Sequence, residues 1–180
     1  MKEVLKNVIV AFASITKPEG FKDGKHMLAI YVDKATQKDI TQKANKVWED
    51  EKSKKVKKQD HGVDEWFSKD DDGKLMLWLA AKADNDRGIT FKNAPGGSFT
   101  LDDFSKLGKG SVIDVSFGVY HYTYQGKEGL GRSINAVALH KLVEWDGNDG
   151  LDGDAISGGL PSGDVKEPKK KKKKKKKNKD

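Results

Sequence analysis

The sequence predicts a mainly β protein, a closed barrel of five to six short strands with one amphipathic helix inserted between them. Short apolar segments rich in β-branched residues are separated by turns that contain glycine or proline. Helical spacing is pronounced only over residues 36–52, and strands do not alternate regularly with helices as they do in parallel α/β folds. The barrel is of the OB type, and a split β-sandwich is the alternative arrangement of the same strands.

Length and composition limit the classes of protein. The chain has 180 residues, is 35% hydrophobic and 35% charged, and has a mean hydropathy of −0.77, which suits one soluble domain with extensions. The longest apolar run, residues 75–81, is far shorter than the roughly 20 residues of a membrane helix. The absence of cysteine excludes disulfides, thiol catalysis and thiolate zinc sites, and the charged N-terminus does not resemble a secretory signal.

Charge divides the chain into three parts. Residues 1–143 carry a net charge of +4, residues 144–168 carry −6, and residues 169–180, with nine consecutive lysines, carry +9. The last two parts have few apolar residues to offset the entropy of ordering. We therefore expect a folded domain over 1–145 and a disordered tail over 146–180, made of an acidic glycine-rich strap (146–168) and a polylysine end (169–180).

The first half of the domain predicts two strands and a helix. Residues 4–16 and 26–33 are short apolar segments separated by proline- and glycine-containing turns, which indicates strands. Over residues 36–52 the apolar side chains have helical spacing, and Thr36 with Asp39 resembles a capping box. The apolar side chains with that spacing are Ile40, Ala44, Val47 and Trp48.

The middle of the domain predicts one central strand and two shorter elements. Residues 74–82 form an apolar run of strand length after an aspartate-rich turn. Residues 89–92 are expected to pair with it as a hairpin. Residues 100–107 resemble a short helical turn that ends at Gly108.

Residues 112–145 predict a long β-hairpin, with a glycine-rich turn at 125–131 and a second strand at 132–145. Residues 112–124 alternate, which assigns one set of side chains to the core and the other to the opposite face. The core set is Ile113, Val115, Phe117 and Val119. The opposite set includes three tyrosines at a spacing of two, Tyr120, Tyr122 and Tyr124, which we call the tyrosine stripe.

The tyrosine stripe is the sharpest functional pattern in the sequence. Nucleic-acid bases stack on exposed aromatic rings largely without regard to sequence, and Lys127 and Arg132 at the adjoining turn are candidates to hold the phosphates. The competing interpretation is structural: a tyrosine ladder packed under the helix or at a dimer interface.

No other pattern predicts a chemical site. The glycine-rich loop at 126–131 joins two strands, whereas phosphate-binding loops lead into a helix. The aspartate clusters are explained by turn chemistry, and the four histidines show no metal-binding or catalytic spacing. His121 and His140 are expected to make ordinary polar contacts. We therefore expect no enzymatic activity, no metal and no cofactor.

The segment LGKGSVIDVSFGVYHYTYQGKEGLGRSINAVALHKLVEW, residues 107–145, resembles the closing hairpin of phage single-stranded DNA-binding proteins. The rest of residues 1–145 agrees more loosely. The resemblance implies an OB-fold protein, often dimeric, that coats single-stranded DNA during phage replication and recombination in the cytoplasm of an infected host. It also implies that the tyrosine stripe and Lys127 form part of the DNA groove.

The family usually ends in an acidic tail that competes with DNA and recruits replication proteins such as DNA polymerase or helicase, whereas this chain continues into polylysine. Two alternatives remain open from the residues alone. One is an RNA-binding OB protein, because only contacts to the 2′-hydroxyl distinguish RNA. The other is a protein–protein adaptor with the stripe as its dimer interface.

Overall fold

The computed structural model describes residues 1–16, 25–52, 62–82 and 88–145. These residues belong to one compact unit, Met1–Gly147. Its strands are β1 (Lys2–Ser14), β2 (Lys25–Tyr31), β3 (Phe67–Lys69), β4 (Leu75–Lys82), β5 (Thr90–Asn93), β6 (Val112–Tyr124) and β7 (Lys127–Lys141). Its helices are α1 (Lys34–Glu51) and α2 (Leu101–Ser105), and a 3-10 turn at Asp64–Trp66 precedes β3. No helix in the described ranges is long and apolar enough to cross a membrane.

The strands close into a five-stranded barrel of OB type, as the sequence predicts. The sheet order is β3-β4-β2-β1-β6-β7-β5, and β4 also pairs in parallel with β7 through Ala80 and Ser133. This pairing closes the barrel from β1, β2, β4, β7 and β6, while β3 and β5 are extra strands at the sheet edges.

Strand β1 belongs to both halves of the barrel because two irregularities bend it. One lies between Leu5 and Val8 and contains Asn7, whose φ is 51°, a conformation that asparagine tolerates better than most residues. The other lies between Val10 and Phe12. The first part of β1 therefore pairs with β6 and the second part with β2.

The core lies inside the barrel and under helix α1. The side chains of β6 alternate as predicted, with Ile113, Val115, Phe117 and Val119 buried. Helix α1 buries Ile40, Ala44 and Trp48 and packs against β6 and β7. The ammonium of Lys43 lies 2.8 Å from carboxylate oxygens of both Glu3 and Asp39, which ties α1 to β1.

The residue that caps the N-terminus of α1 differs from the one predicted. Asp33, not Thr36, is the N-cap residue: its carboxylate accepts a 2.7 Å hydrogen bond from the Thr36 amide. The expected partner of Thr36, Asp39, pairs with Lys43 instead. A capping box does occur at Thr100 and Asp103, where α2 forms within the predicted helical turn.

Residues 89–92 do not form a hairpin with β4. Both edges of β4 are occupied, one by β2 and the other by β3, a three-residue strand too short to be recognised from the sequence. Strand β5 instead pairs in parallel with β7, and its Phe91 packs on Phe104 of α2 with ring centroids 4.9 Å apart.

The predicted long hairpin is present, but its turn is shorter than expected. Gln125 and Gly126 alone form the turn, with φ of 49° and 76°, as in a type I′ turn. Strand β7 therefore starts at Lys127 rather than at residue 132. The tail, residues 146–180, lies outside the described residues, so its disorder and the domain boundary remain predictions.

Candidate nucleic-acid interface

The tyrosine stripe lies on the outer face of the hairpin, in the part that extends beyond the N-terminal end of β1. Lys2 pairs with Gly118, and the Met1 backbone then bonds to Val119, so the tyrosines lie on the part of β6 that continues past β1 with β7. Tyr120, Tyr122 and Tyr124 are 48%, 45% and 67% exposed. These tyrosines are solvent-facing, as the alternation of β6 predicts.

Two of the rings lie over the neighbouring strand because the residues opposite them are glycines. Tyr120 pairs with Gly131, and Tyr122 pairs with Gly129. A Cβ atom added at Gly129 would lie 2.7 Å from the Tyr122 hydroxyl oxygen, and one added at Gly131 would overlap the Tyr120 ring. The glycines therefore leave the space that the rings occupy, and one side of each ring is supported by backbone.

The opposite face of the hairpin rests on helix α1. His121 projects to that side, where its ring centroid lies 5.7 Å from that of Trp48. His121 Nε2 also lies 3.0 Å from Glu128 Oε2, and both side chains are largely buried. The helix thus supports the hairpin from behind, and the interpretation that the tyrosines pack under the helix is wrong.

The other two predicted site residues lie on different sides of the hairpin. Lys127 pairs with Tyr124 at the tip, where it is exposed beside the stripe. Arg132 pairs with the core residue Val119, and its Nε donates to the carbonyl oxygen of Trp78. Its guanidinium carbon lies 5.3 Å from the centroid of the Trp66 ring. The structure brings Lys127 together with the stripe and turns Arg132 inward.

Burial lowers the pKa of Arg132 to about 10, which still leaves the guanidinium charged at neutral pH. The charge of Glu65 acts in the opposite direction. Arg132 therefore occupies the base of the hairpin as a half-buried cation that joins β7 to β4.

Sequence reasoning missed a second aromatic pair on the outer surface, Phe12 of β1 and Trp78 of β4. Their ring centroids are 5.8 Å apart, and Trp78 Nε1 donates a 2.8 Å hydrogen bond to Ser68 Oγ. Trp78 lies in the continuous apolar run 75–81, where alternation cannot be read. Phe12 follows the second irregularity of β1, which shifts the inward and outward positions.

The histidines of the barrel make local contacts. His121 Nε2 is hydrogen-bonded to Glu128, the ordinary polar contact that was expected. His140 Nε2 lies 2.8 Å from Asp114 Oδ1 but has no hydrogen-bond partner among the described residues. Burial lowers the pKa of His26. Within the part of the chain that the structure describes, no three metal-ligating side chains come together.

Comparison with solved structures places this fold among phage single-stranded DNA-binding proteins. The single-stranded DNA-binding protein of bacteriophage Enc34 in complex with ssDNA aligns over 79% of this chain and 88% of its own, with a TM-score of 0.59 and 13% identity. A second structure of the Enc34 protein aligns over 87% of this chain and 89% of its own, with a TM-score of 0.59 and 11% identity.

The T7 protein gp2.5, described as a single-stranded DNA-binding protein, aligns over 84% of this chain and 97% of its own. Its TM-score is 0.53 and its identity is 15%. No protein-family model matches the sequence, and no curated protein matches it. These likenesses establish a shared fold.

Proposed function

We propose that this chain is a non-enzymatic, sequence-independent single-stranded DNA-binding protein. The observation that carries the proposal is the tyrosine stripe: three exposed rings in a row, two of them supported from behind by glycine backbone. Stacking on such a ring contributes about 1–3 kcal/mol per base and tolerates any base. Three rings therefore give a site of useful affinity without a base-specific contact.

The charges beside the stripe supply the second part of the site. Lys127 is exposed at the tip, where its ammonium is free to follow the sugar-phosphate backbone of a strand stacked on Tyr124. Arg132 enters the proposal as a positioning residue, because its Nε donates to the Trp78 carbonyl and its guanidinium carbon lies 5.3 Å from the centroid of the Trp66 ring.

The fold that this chain shares with the two phage proteins supports a proposed biological role. We assign to it the coating and protection of single-stranded DNA in phage replication, recombination and repair, in the cytoplasm of an infected bacterium. The tail is proposed to recruit replication proteins such as DNA polymerase or helicase. Its polylysine end adds nonspecific attraction to phosphates. We also propose that the protein acts as a homodimer.

The test is a fluorescence-anisotropy titration of a labelled single strand of ~30 nucleotides at two salt concentrations, with duplex DNA as competitor. The full chain is compared with a chain lacking residues 169–180. We expect the shortened chain to retain its preference for the single strand, with a smaller dependence on salt, and Tyr122→Ala to weaken it. Loss of all binding on removal of polylysine would refute a binding site on the barrel.

Two further measurements separate the alternatives. Competition between DNA and RNA oligonucleotides of the same sequence tests the RNA-binding alternative, which predicts the stronger competition from RNA. Sedimentation of Tyr122→Ala tests the adaptor alternative. If the stripe were a dimer interface, this change would reduce the mass in solution and leave DNA affinity unaltered.

A further inference from the structure

Strand β1 has a neighbouring strand on both sides over only part of its length. Strand β6 pairs with it from Lys2 onward, whereas β2 pairs with it only from Val10 onward. Past that point the chain after β2 turns toward β4, and the Val32 amide donates to the Leu75 carbonyl. The side of residues 2–8 that faces away from β6 therefore has no strand beside it in the described part of the chain. We call this side the open edge.

The open edge presents backbone groups that an added strand can use. The Met1 backbone exchanges two hydrogen bonds of 2.8 Å with Val119 of β6. In an antiparallel pair, successive residues direct their N–H and C=O groups alternately toward and away from the partner strand. Counting from Met1, the groups of Lys2 and Val4 point away from β6. They form a row of donors and acceptors of the kind that templates strand addition.

The side chains along the open edge alternate between its two faces. Lys2, Val4 and Lys6 are exposed, and Val4 has 53% of its surface in solvent. Glu3 between them is turned to the other face, where its carboxylate lies 2.8 Å from the ammonium of Lys43 on α1. A strand added to β1 therefore meets a positive, an apolar and a positive side chain in turn on its solvent face.

A cleft adjoins the open edge on the side of β2. It has a volume of about 540 Å³ and lies between residues 5–9 of β1 and residues 31–33 at the end of β2. Its lining includes apolar Val8 and the exposed Lys74. The acidic side chain in its lining, Asp33, is engaged as the cap of α1. The cleft leaves room beside β1 for the side chains of another strand.

Charge distinguishes a second copy of this chain from a different partner. Two antiparallel copies of β1 centred on Val4 would place Lys2 of each copy opposite Lys6 of the other. Like charges directly opposite each other destabilise a strand pair, and edge lysines are a common protection against self-pairing. A strand with acidic side chains opposite the lysines and an apolar one opposite Val4 gains from all three contacts.

We propose that the open edge of β1 is a docking site for an extended acidic segment of a partner protein, which adds to the sheet as a further strand. Its hydrogen bonds to the backbone of Lys2 and Val4 provide affinity for any extended chain. Its acidic residues opposite Lys2 and Lys6 provide the specificity. The site goes beyond the proposed function, because none of its contacts involves the tyrosine stripe.

The test is a fluorescence-anisotropy titration of a labelled peptide, with the central sequence Glu-Val-Ile-Thr-Glu, by the full chain. In antiparallel pairing its glutamates lie opposite Lys6 and Lys2, and its isoleucine lies opposite Val4. A peptide of the same composition with its two glutamates adjacent is the control, because polylysine attracts both peptides by their equal charge. We expect the patterned peptide to bind at least about fivefold more tightly.

Methylation of single peptide amides tests the hydrogen bonds while the protein stays unchanged. In the proposed pairing the isoleucine amide faces β1, and the amide of the neighbouring valine faces away. N-methylisoleucine should therefore weaken binding at least about tenfold, and N-methylvaline less than about threefold.

Charge reversal on the protein locates the site. Lys2→Glu should weaken binding of the patterned peptide at least about fivefold. Lys92→Glu is the matched control, because Lys92 is also an exposed strand lysine but belongs to β5. It should change the affinity less than about twofold. Thermal unfolding verifies that both variants are folded.

Equal affinity for the two peptides, equal effects of the two N-methyl groups or equal effects of Lys2→Glu and Lys92→Glu would each overturn the docking site. Sedimentation of the full chain with the patterned peptide should show no loss of mass beyond that of a folded complex. A mass halved by the peptide would overturn the proposal as well, because a second copy would then occupy the open edge. None of these measurements includes DNA, so their failure leaves the proposed DNA binding intact.

Discussion

Gly129→Ala separates the proposed binding role of the tyrosine stripe from its contribution to folding. The added Cβ would lie 2.7 Å from the Tyr122 hydroxyl oxygen and 2.8 Å from its Cζ. Carbon atoms in ordinary contact are about 3.5–4.0 Å apart, so the ring must move by about 1 Å. The far end of an exposed side chain can make this movement without disturbing the core.

The stability of Gly129→Ala should therefore change little. Alanine is favoured over glycine within a strand by about 0.5–1 kcal/mol, which offsets the displaced ring contact. We expect a free energy of unfolding within about 1 kcal/mol of the parent chain. DNA affinity should fall toward that of Tyr122→Ala, a loss of about 1–3 kcal/mol, because the added Cβ displaces the ring from its place over the β7 backbone.

The assay combines urea unfolding with anisotropy titration of a labelled single strand, on chains lacking residues 169–180. Gly118→Ala is the control, because a Cβ there meets the Asn135 amide nitrogen at 3.5 Å, an ordinary contact, and no ring. The double change Gly129→Ala with Tyr122→Ala should bind no more weakly than Tyr122→Ala alone. Unaltered DNA affinity in Gly129→Ala would refute the reasoning.

Three further predictions concern stability and are measured by urea unfolding. Ser111→Ala should lower the free energy of unfolding by about 1–3 kcal/mol, because Ser111 Oγ is hydrogen-bonded to both the amide and the carbonyl of Val143. Ser116→Ala is its control and should not be destabilising, because the buried Ser116 Oγ has no hydrogen-bond partner among the described residues. Arg132→Ala should cost about 1–3 kcal/mol by removing the cation between Trp66 and Trp78, and an equal loss in exposed Lys127→Ala would contradict this assignment. Asp33→Ala should destabilise the protein at neutral pH, and the difference in free energy of unfolding from the parent should shrink as pH falls below about 4. The reason is that the Thr36 amide lowers the pKa of Asp33 and favours the ionised carboxylate that caps α1. A difference independent of pH would count against the cap.

The strands could be predicted from their short apolar segments, and the stripe could be predicted because β6 alternates between apolar and other residues from Ile113 to Val119. The same reasoning failed where neighbours in space decide the structure. Strand β5 lies beside β7 because β2 occupies one edge of β4, while β3 and, at Ala80, β7 itself occupy the other. The length of the hairpin turn depends on Gln125 taking a positive φ, which a glycine-rich stretch does not single out.

The candidate site was predictable only in part. The stripe lies on one strand, where periodicity reveals its face, and Lys127 adjoins it across a two-residue turn. Phe12 and Trp78 come from strands that are distant in sequence, and their meeting depends on Ala29 between them. Arg132 is next to Gly131 in sequence but points to the opposite side of the strand, and its pairing with Val119 decides this.

The alternation of β6 has a consequence for how the protein can change over generations. Even-numbered residues from Tyr120 to Tyr124 face solvent, whereas Val119 and His121 face the core and helix α1. Mutation at the outward positions therefore changes the surface of the hairpin and leaves the side chains that pack against the core and helix α1 unchanged. Selection can therefore act on the surface properties and on the stability of the hairpin through separate codons of a single strand. A library randomised at the three tyrosines should remain largely folded.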